Sequence, residues 1–207
     1  MKKIVFFIAA SLITSATIAQ TAQDGTVQFD KVNNYSGVTL EVPGYDIKTI
    51  QGALQKRFEV TGGLKGTNSG KFRAYLSQAF SDFGPQNYDI YSQVIEAGKK
   101  KDKKTIVCLL VSKGNNNFVT PASDPDIIAN MKTFLNNFPA YLKNYDTELK
   151  ASELQKNIAK MEKEHKSLNA DKEKLQKQLD KKNTDIQQKQ DELNKAKELL
   201  NTLRPTN

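Results

Sequence analysis

The chain has 207 residues, 38% of them hydrophobic and 26% charged, with a formal net charge of +8. One cysteine and one histidine exclude an internal disulfide framework and a zinc-ligand spacing, and no sequence signature of a Cys–His or Ser–His–Asp nucleophile system surrounds them. A hydrophobic content below the globular average fits one compact domain plus a polar extension, and the basic balance permits a polyanionic partner without demanding one.

Met1-Lys2-Lys3 forms a positive n-region, Ile4 to Ile13 an apolar h-region, and Thr17-Ile18-Ala19 a small-residue cleavage site. Residues 1–19 therefore read as a cleavable signal peptide, with the exported chain starting at Gln20 and lying in the periplasm or outside the cell. The apolar run is too short to span a bilayer. Removing Lys2 and Lys3 lowers the formal charge from +8 to +6.

Residues 20–26 are polar and predict a frayed tail, with a strand beginning at Val27-Gln28-Phe29. Val38 to Val42 predict a clearer strand, ended by Pro43-Gly44. Asp46 is placed to cap a helix that carries Ile47, Ile50, Leu54 and Phe58 on one face, and Gly62-Gly63 stop it. Leu64 to Thr67 and Lys71 to Leu76 predict a hairpin turning at Asn68-Ser69-Gly70, and residues 82–87 a loop.

Tyr88 to Ala97 and Lys104 to Ser112 predict two further strands. In the second, Ile106, Cys108 and Leu110 alternate with Val107, Leu109 and Val111, so both faces are apolar and the strand should be central. Cys108 then reads as a small buried hydrophobe. Ser123-Asp124-Pro125 is a helix start, followed by the stripe Ile127, Ile128, Met131, Phe134, Leu135 and Phe138. Pro139 should kink or restart that helix.

The predicted order for residues 20–145 is β-α-β-β-β-β-α, an α+β head with an antiparallel sheet and two helices on one face. That order is TATA-binding-protein-like, a likeness of fold that carries no function. The segments Tyr88-Asp89-Ile90-Tyr91, Val111 to Phe118 and Thr133-Phe134-Leu135-Asn136 resemble uncharacterised exported proteins of Bacteroidetes-type bacteria. The resemblance implies such a head joined to a C-terminal coiled coil, and no catalytic or binding residue.

Residues 146–204 predict a coiled-coil helix and 205–207 a tail. Leu154, Met161, Leu168, Leu175 and Leu203 fall at d positions, and Ile158, Leu179, Ile186, Leu193 and Leu200 at a positions, of one unbroken heptad register. Such a helix, on the order of 75–80 Å over the heptads, is too narrow-seamed to stand alone and calls for a second copy or a partner helix. Its polar core positions are His165, Lys172, Lys182 and Lys189, devices that set register at a cost in stability. A helical hairpin turning near Asn169-Ala170-Asp171 is the alternative arrangement.

Lys99, Lys100, Lys101, Lys103 and Lys104 cluster at the predicted β-hairpin tip, suited to a solvated turn or to an anionic envelope surface. Export and the lack of aromatic stacking residues beside them argue against nucleic acid. Asp82 and Asp89 are carboxylates with no sequence signal that pairs them, and Asp124 and Asp126 are helix-start residues. These readings lead to a non-enzymatic exported protein, without cofactor or metal, whose coil oligomerises or finds a partner and whose head recognises something. A periplasmic holdase chaperone and a head binding an apolar ligand or lipid are the alternatives.

Overall fold

The structure is a computed structural model and describes residues 21–98 and 103–203. Its elements are β1 (Gln23–Gln28), β2 (Asn34–Glu41), α1 (Ile47–Gln55), a π-helical segment (Lys56–Thr61), β3 (Thr67–Ser69), β4 (Phe72–Ala79), β5 (Asn87–Ala97), β6 (Lys104–Ser112) and α2 (Pro125–Leu203). The strands form one six-stranded sheet in the order β1-β2-β6-β5-β4-β3, antiparallel throughout. The chain divides into two compact units, Met1–Glu148 and Leu149–Asn207.

The predicted tail is instead a strand, which corrects the element order to β-β-α-β-β-β-β-α. β1 pairs with β2 from Gln23 opposite Thr39 to Gln28 opposite Asn34. It is an edge strand in which Val27 alone is buried, so its composition reads as solvated chain while its backbone hydrogen bonds come from a neighbour. Two further ties hold it. The amide of Ala22 donates to Asn136 Oδ1 at 2.7 Å, and Lys132 pairs with Asp24 at 2.7 Å.

Both helix starts follow their capping residues. Asp46 Oδ1 accepts the Thr49 amide at 3.0 Å and Oδ2 the Thr49 hydroxyl at 2.6 Å. Those bonds hold the Asp46 carboxyl below its ordinary range. At the other start, Ile128 donates its amide to the Asp124 carbonyl at 3.1 Å, just ahead of Pro125. Lys113, and then the Ser123 hydroxyl, stabilise the charged Asp124 carboxylate and depress its pKa.

Pro139 neither ends nor restarts α2, which is continuous from Pro125 to Leu203. The reason lies in which side the ring faces. Phe138 and Leu142 are 2% and 0% exposed, whereas Pro139 is exposed, so the ring points away from the core while its neighbours pack into it and hold the helix on either side. The helix also runs unbroken through Asn169, Ala170 and Asp171, so the chain does not turn back there.

The main core lies between the helices and one face of the sheet. Ile50, Leu54 and Phe58 meet Val38, Leu40, Tyr75, Ile90, Val107 and Leu109, with Met131, Phe134, Leu135 and Phe138 of α2. Phe80 and Phe83, next to and within the segment between β4 and β5, are each 1% exposed and belong to this core.

The opposite face carries a second cluster, Val27, Phe72, Ala74, Tyr91, Cys108, Leu110 and Phe118, with Phe29 and Tyr35 packed against it. Phe29 follows β1, yet its ring centroid lies 5.4 Å from that of Phe72 in β4. In a flat sheet those strands would be roughly 19 Å apart, four spacings of about 4.8 Å. The sheet therefore curls, and the aromatic rings close its inner face.

β6 is central, between β2 and β5, and Cys108 is 3% exposed. Burial pushes its thiol up to about 11, so the nucleophilic thiolate is scarce at neutral pH. The expected result is no reaction of the folded protein with a disulfide reagent at pH 8. One thiol per chain should appear on denaturation. Rapid labelling of the folded chain, measured by absorbance or mass, would contradict this burial.

Candidate functional site

From Leu149 to Leu203, every residue of α2 is exposed. Helix formation there is local: the segment has no glycine or proline, and polar pairs lace its surface. Gln176 donates to Asp180 at 2.8 Å, Gln187 to Asp191 at 3.0 Å, and Lys189 pairs with Glu192 at 2.5 Å. Each such pair contributes about 0.2–0.5 kcal/mol. None covers apolar surface.

The ten predicted seam residues behave alike. Leu154 is 60% exposed, Ile158 43%, Met161 58%, Leu168 67%, Leu175 63%, Leu179 54%, Ile186 65%, Leu193 48%, Leu200 54% and Leu203 71%. Apolar side chains of this size in the head are almost all buried. Within this unit, a heptad-spaced row of exposed leucines and isoleucines is an apolar surface that no other described residue of the unit covers. His165 interrupts it beside Asn169, whose amide nitrogen lies 3.5 Å from the ring nitrogens.

The flanks of the seam are unequal. The g positions carry Asn157, Glu164, Asp171, Gln178, Asp185, Glu192 and Leu199, and the e positions Gln155, Glu162, Asn169, Gln176, Asn183, Gln190 and Lys197. One flank is acidic and the other mostly uncharged amide.

Of the lysine cluster, Lys103 pairs with Glu96 at 2.7 Å and Lys104 with Glu41 at 2.9 Å. Lys99, Lys100 and Lys101 lie outside the described residues, as do residues 1–19, where the sequence predicts a signal peptide, and the predicted tail 205–207. Asp82 pairs with Arg57, whose guanidinium also lies over the Phe80 and Phe134 rings at 5.7 and 5.4 Å. Asp89 accepts the Ser77 amide at 2.8 Å. Each carboxylate thus has a structural partner, Asp82 an ion pair and Asp89 a backbone bond at the β4 bulge.

Among the described residues no group of three or more His, Cys, Asp or Glu side chains is placed to hold a metal ion, and no helix is long and apolar enough to cross a membrane. Between the sheet and α2, where an apolar ligand would need space, Ile128, Met131, Leu135, Phe138 and Leu142 are at most 3% exposed and pack against the strands. Comparison with family models, curated proteins and solved structures finds no match to this chain.

Proposed function

We propose that the chain is a non-enzymatic exported protein that self-associates through a parallel coiled coil and so displays several α+β heads. The observation that carries this reading is the row of ten exposed a and d side chains. Covering a Leu or Ile that starts half-exposed is worth roughly 1 kcal/mol gross, and a second copy supplies a matching row in register. The head's order keeps a TATA-binding-protein-like pattern behind an added strand, and the kinship with exported Bacteroidetes-type proteins belongs to the same proposal.

Orientation follows from the flanks. In a parallel pair each g residue faces the e residue five positions on in the partner. That sets Glu192 against Lys197 and leaves no like-charged pair between the flanks, while in the seam Lys172, Lys182 and Lys189 each meet their own copy. An antiparallel pair of full overlap brings g against g, facing Glu164 with Glu192 and Asp171 with Asp185, twice each. Both arrangements interrupt the seam at His165, Lys172, Lys182 and Lys189, so the acidic flank decides, and it favours parallel pairing.

Sedimentation equilibrium of residues 20–207 tests this. The expected mass is that of a dimer or trimer, and Leu175→Glu with Leu179→Glu should return a monomer at the same concentration. Both side chains are exposed in the single chain, so the head's melting transition should not move. A wild-type monomer across the micromolar range would overturn the proposal.

A further inference from the structure

A groove of about 280 Å³ opens on the helix side of the sheet, between α1, the β3–β4 turn and β5. Tyr75 and Arg73 of β4 and Ser92 of β5 line it, with Gln51 and Gln55 from α1 and Lys71 from the turn. We infer that this groove binds a small hydroxylated carboxylate, of the size and chemistry of a sugar acid. The inference deepens the reading of the head as the recognising part of the protein and does not depend on self-association.

Tyr75 supplies the first argument. It is fully buried, and its hydroxyl is closed to solvent and makes no hydrogen bond of good geometry, with Arg73 and Ser92 close enough only to temper its pKa. An unsatisfied buried hydroxyl is a standing cost, which phenylalanine at this position would avoid. Burial, and then the charge of Glu59, push its pKa to about 12, so the hydroxyl remains a donor at any physiological pH.

The surrounding polar groups are held in place before any ligand arrives. Arg73 lies 2.6 Å from Glu59 Oε1 through Nη2 and donates to the same oxygen through Nε at 2.8 Å. Its Nη1 donates to Asn68 Oδ1 at 2.9 Å. Gln55 Nε2 donates to the other Glu59 oxygen at 3.0 Å. Glu59 reaches this position from the π-helical segment, an uncommon turn that recurs at functional sites. Gly66 is required beside it, since a Cβ there would lie 2.3 Å from Glu59 Oε1 and 2.6 Å from Arg73 Nε. Gln55 Oε1 and Asn68 Nδ2 remain to act on a ligand.

The ligand class follows from charge and donor type. The lining holds Lys71 and Arg73 and no carboxylate. Glu59 offsets one of those cations, leaving a net charge of one, which suits one carboxylate better than a phosphate dianion. Gln51, Gln55, Asn68 and Gln93 also line the groove. Carboxamides both donate and accept, as do ligand hydroxyls. The volume equals the share of roughly nine waters at about 30 Å³ each, enough for a monosaccharide-sized molecule.

Calorimetric titration of the full chain with glucuronate, glucose and glucose 6-phosphate tests the inference. Glucuronate should bind measurably, glucose at least tenfold more weakly, and the phosphate no better than glucuronate. Lys71→Gln, at an exposed turn, should weaken glucuronate binding several-fold with no change in melting temperature. Tyr75→Phe should weaken it too while leaving the melting temperature equal or higher, because the orphaned hydroxyl is gone. No glucuronate binding at millimolar concentration, glucose binding equally well, tighter binding of the phosphate, or a Tyr75→Phe variant that melts lower and binds normally would each sink it. Sedimentation of the same samples reads self-association separately, so failure of one proposal is not mistaken for failure of the other.

Discussion

Phe58→Ala is expected to cost the head about 3–5 kcal/mol of unfolding free energy, the range for removing a fully buried aromatic ring. Phe58 is 0% exposed and is the hub of the aromatic core. Its ring centroid lies 4.9 Å from those of Phe134 and Tyr75, 5.2 Å from Phe80 and 6.4 Å from Phe83. One side chain thus joins the π-helical segment to α2, to β4 and to the segment after β4. These surroundings are pinned by different elements and cannot collapse together into the space left behind.

Phe58→Leu fills much of that space and should cost under about 2 kcal/mol. The chain has no tryptophan, and all seven tyrosines lie before Glu148, so near-ultraviolet circular dichroism during urea titration reads the head alone. A cost below 1 kcal/mol for Phe58→Ala would mean that the aromatic cluster closes up more freely than its packing implies.

Gly37→Ala should destabilise the head by about 2–3 kcal/mol, and Gly37→Val by more. A Cβ at Gly37 would lie 2.4 Å from the Leu109 carbonyl oxygen and 2.8 Å from Leu110 Cδ2. The first of these neighbours is backbone of the central strand β6, which cannot rotate away, so β2 and β6 must part. β1 reaches the sheet through β2, and it would loosen with it.

Gly25, its partner across β1 and β2, is the control. A Cβ there would meet Thr39 side-chain atoms at 3.0 and 3.1 Å, and a side chain can shift. Gly25→Ala should therefore cost under about 1 kcal/mol, partly offset by the reduced freedom of the unfolded chain. Urea midpoints of the two alanine variants, read by the same tyrosine signal, make the comparison. Equal midpoints would show that the β2–β6 pair has more room than this geometry allows.

What could be read from sequence alone were features decided within a few residues. Asp46 and Asp124 mark helix starts because their capping partners lie at most four residues on. The two apolar faces of β6 announce a central strand because alternation is a property of the strand itself. The heptad positions from Leu154 to Leu203 are legible for the same reason.

Contacts distant in sequence decided the rest. β1 is a strand because β2 offers it a ladder, not because Gln23 to Thr26 favour one. Phe29 and Phe118 close the curled face only once the sheet brings them to Tyr91 and Phe72. Pro139 is tolerated because the head turns it toward solvent. The groove draws Gln51, Arg73, Tyr75 and Ser92 from three elements, a set no local spacing could announce. The seam shows the same division: its register is local and was readable in the heptads, but that the helix runs on through Asn169-Ala170-Asp171 and does not fold back on itself is what the tertiary structure supplied.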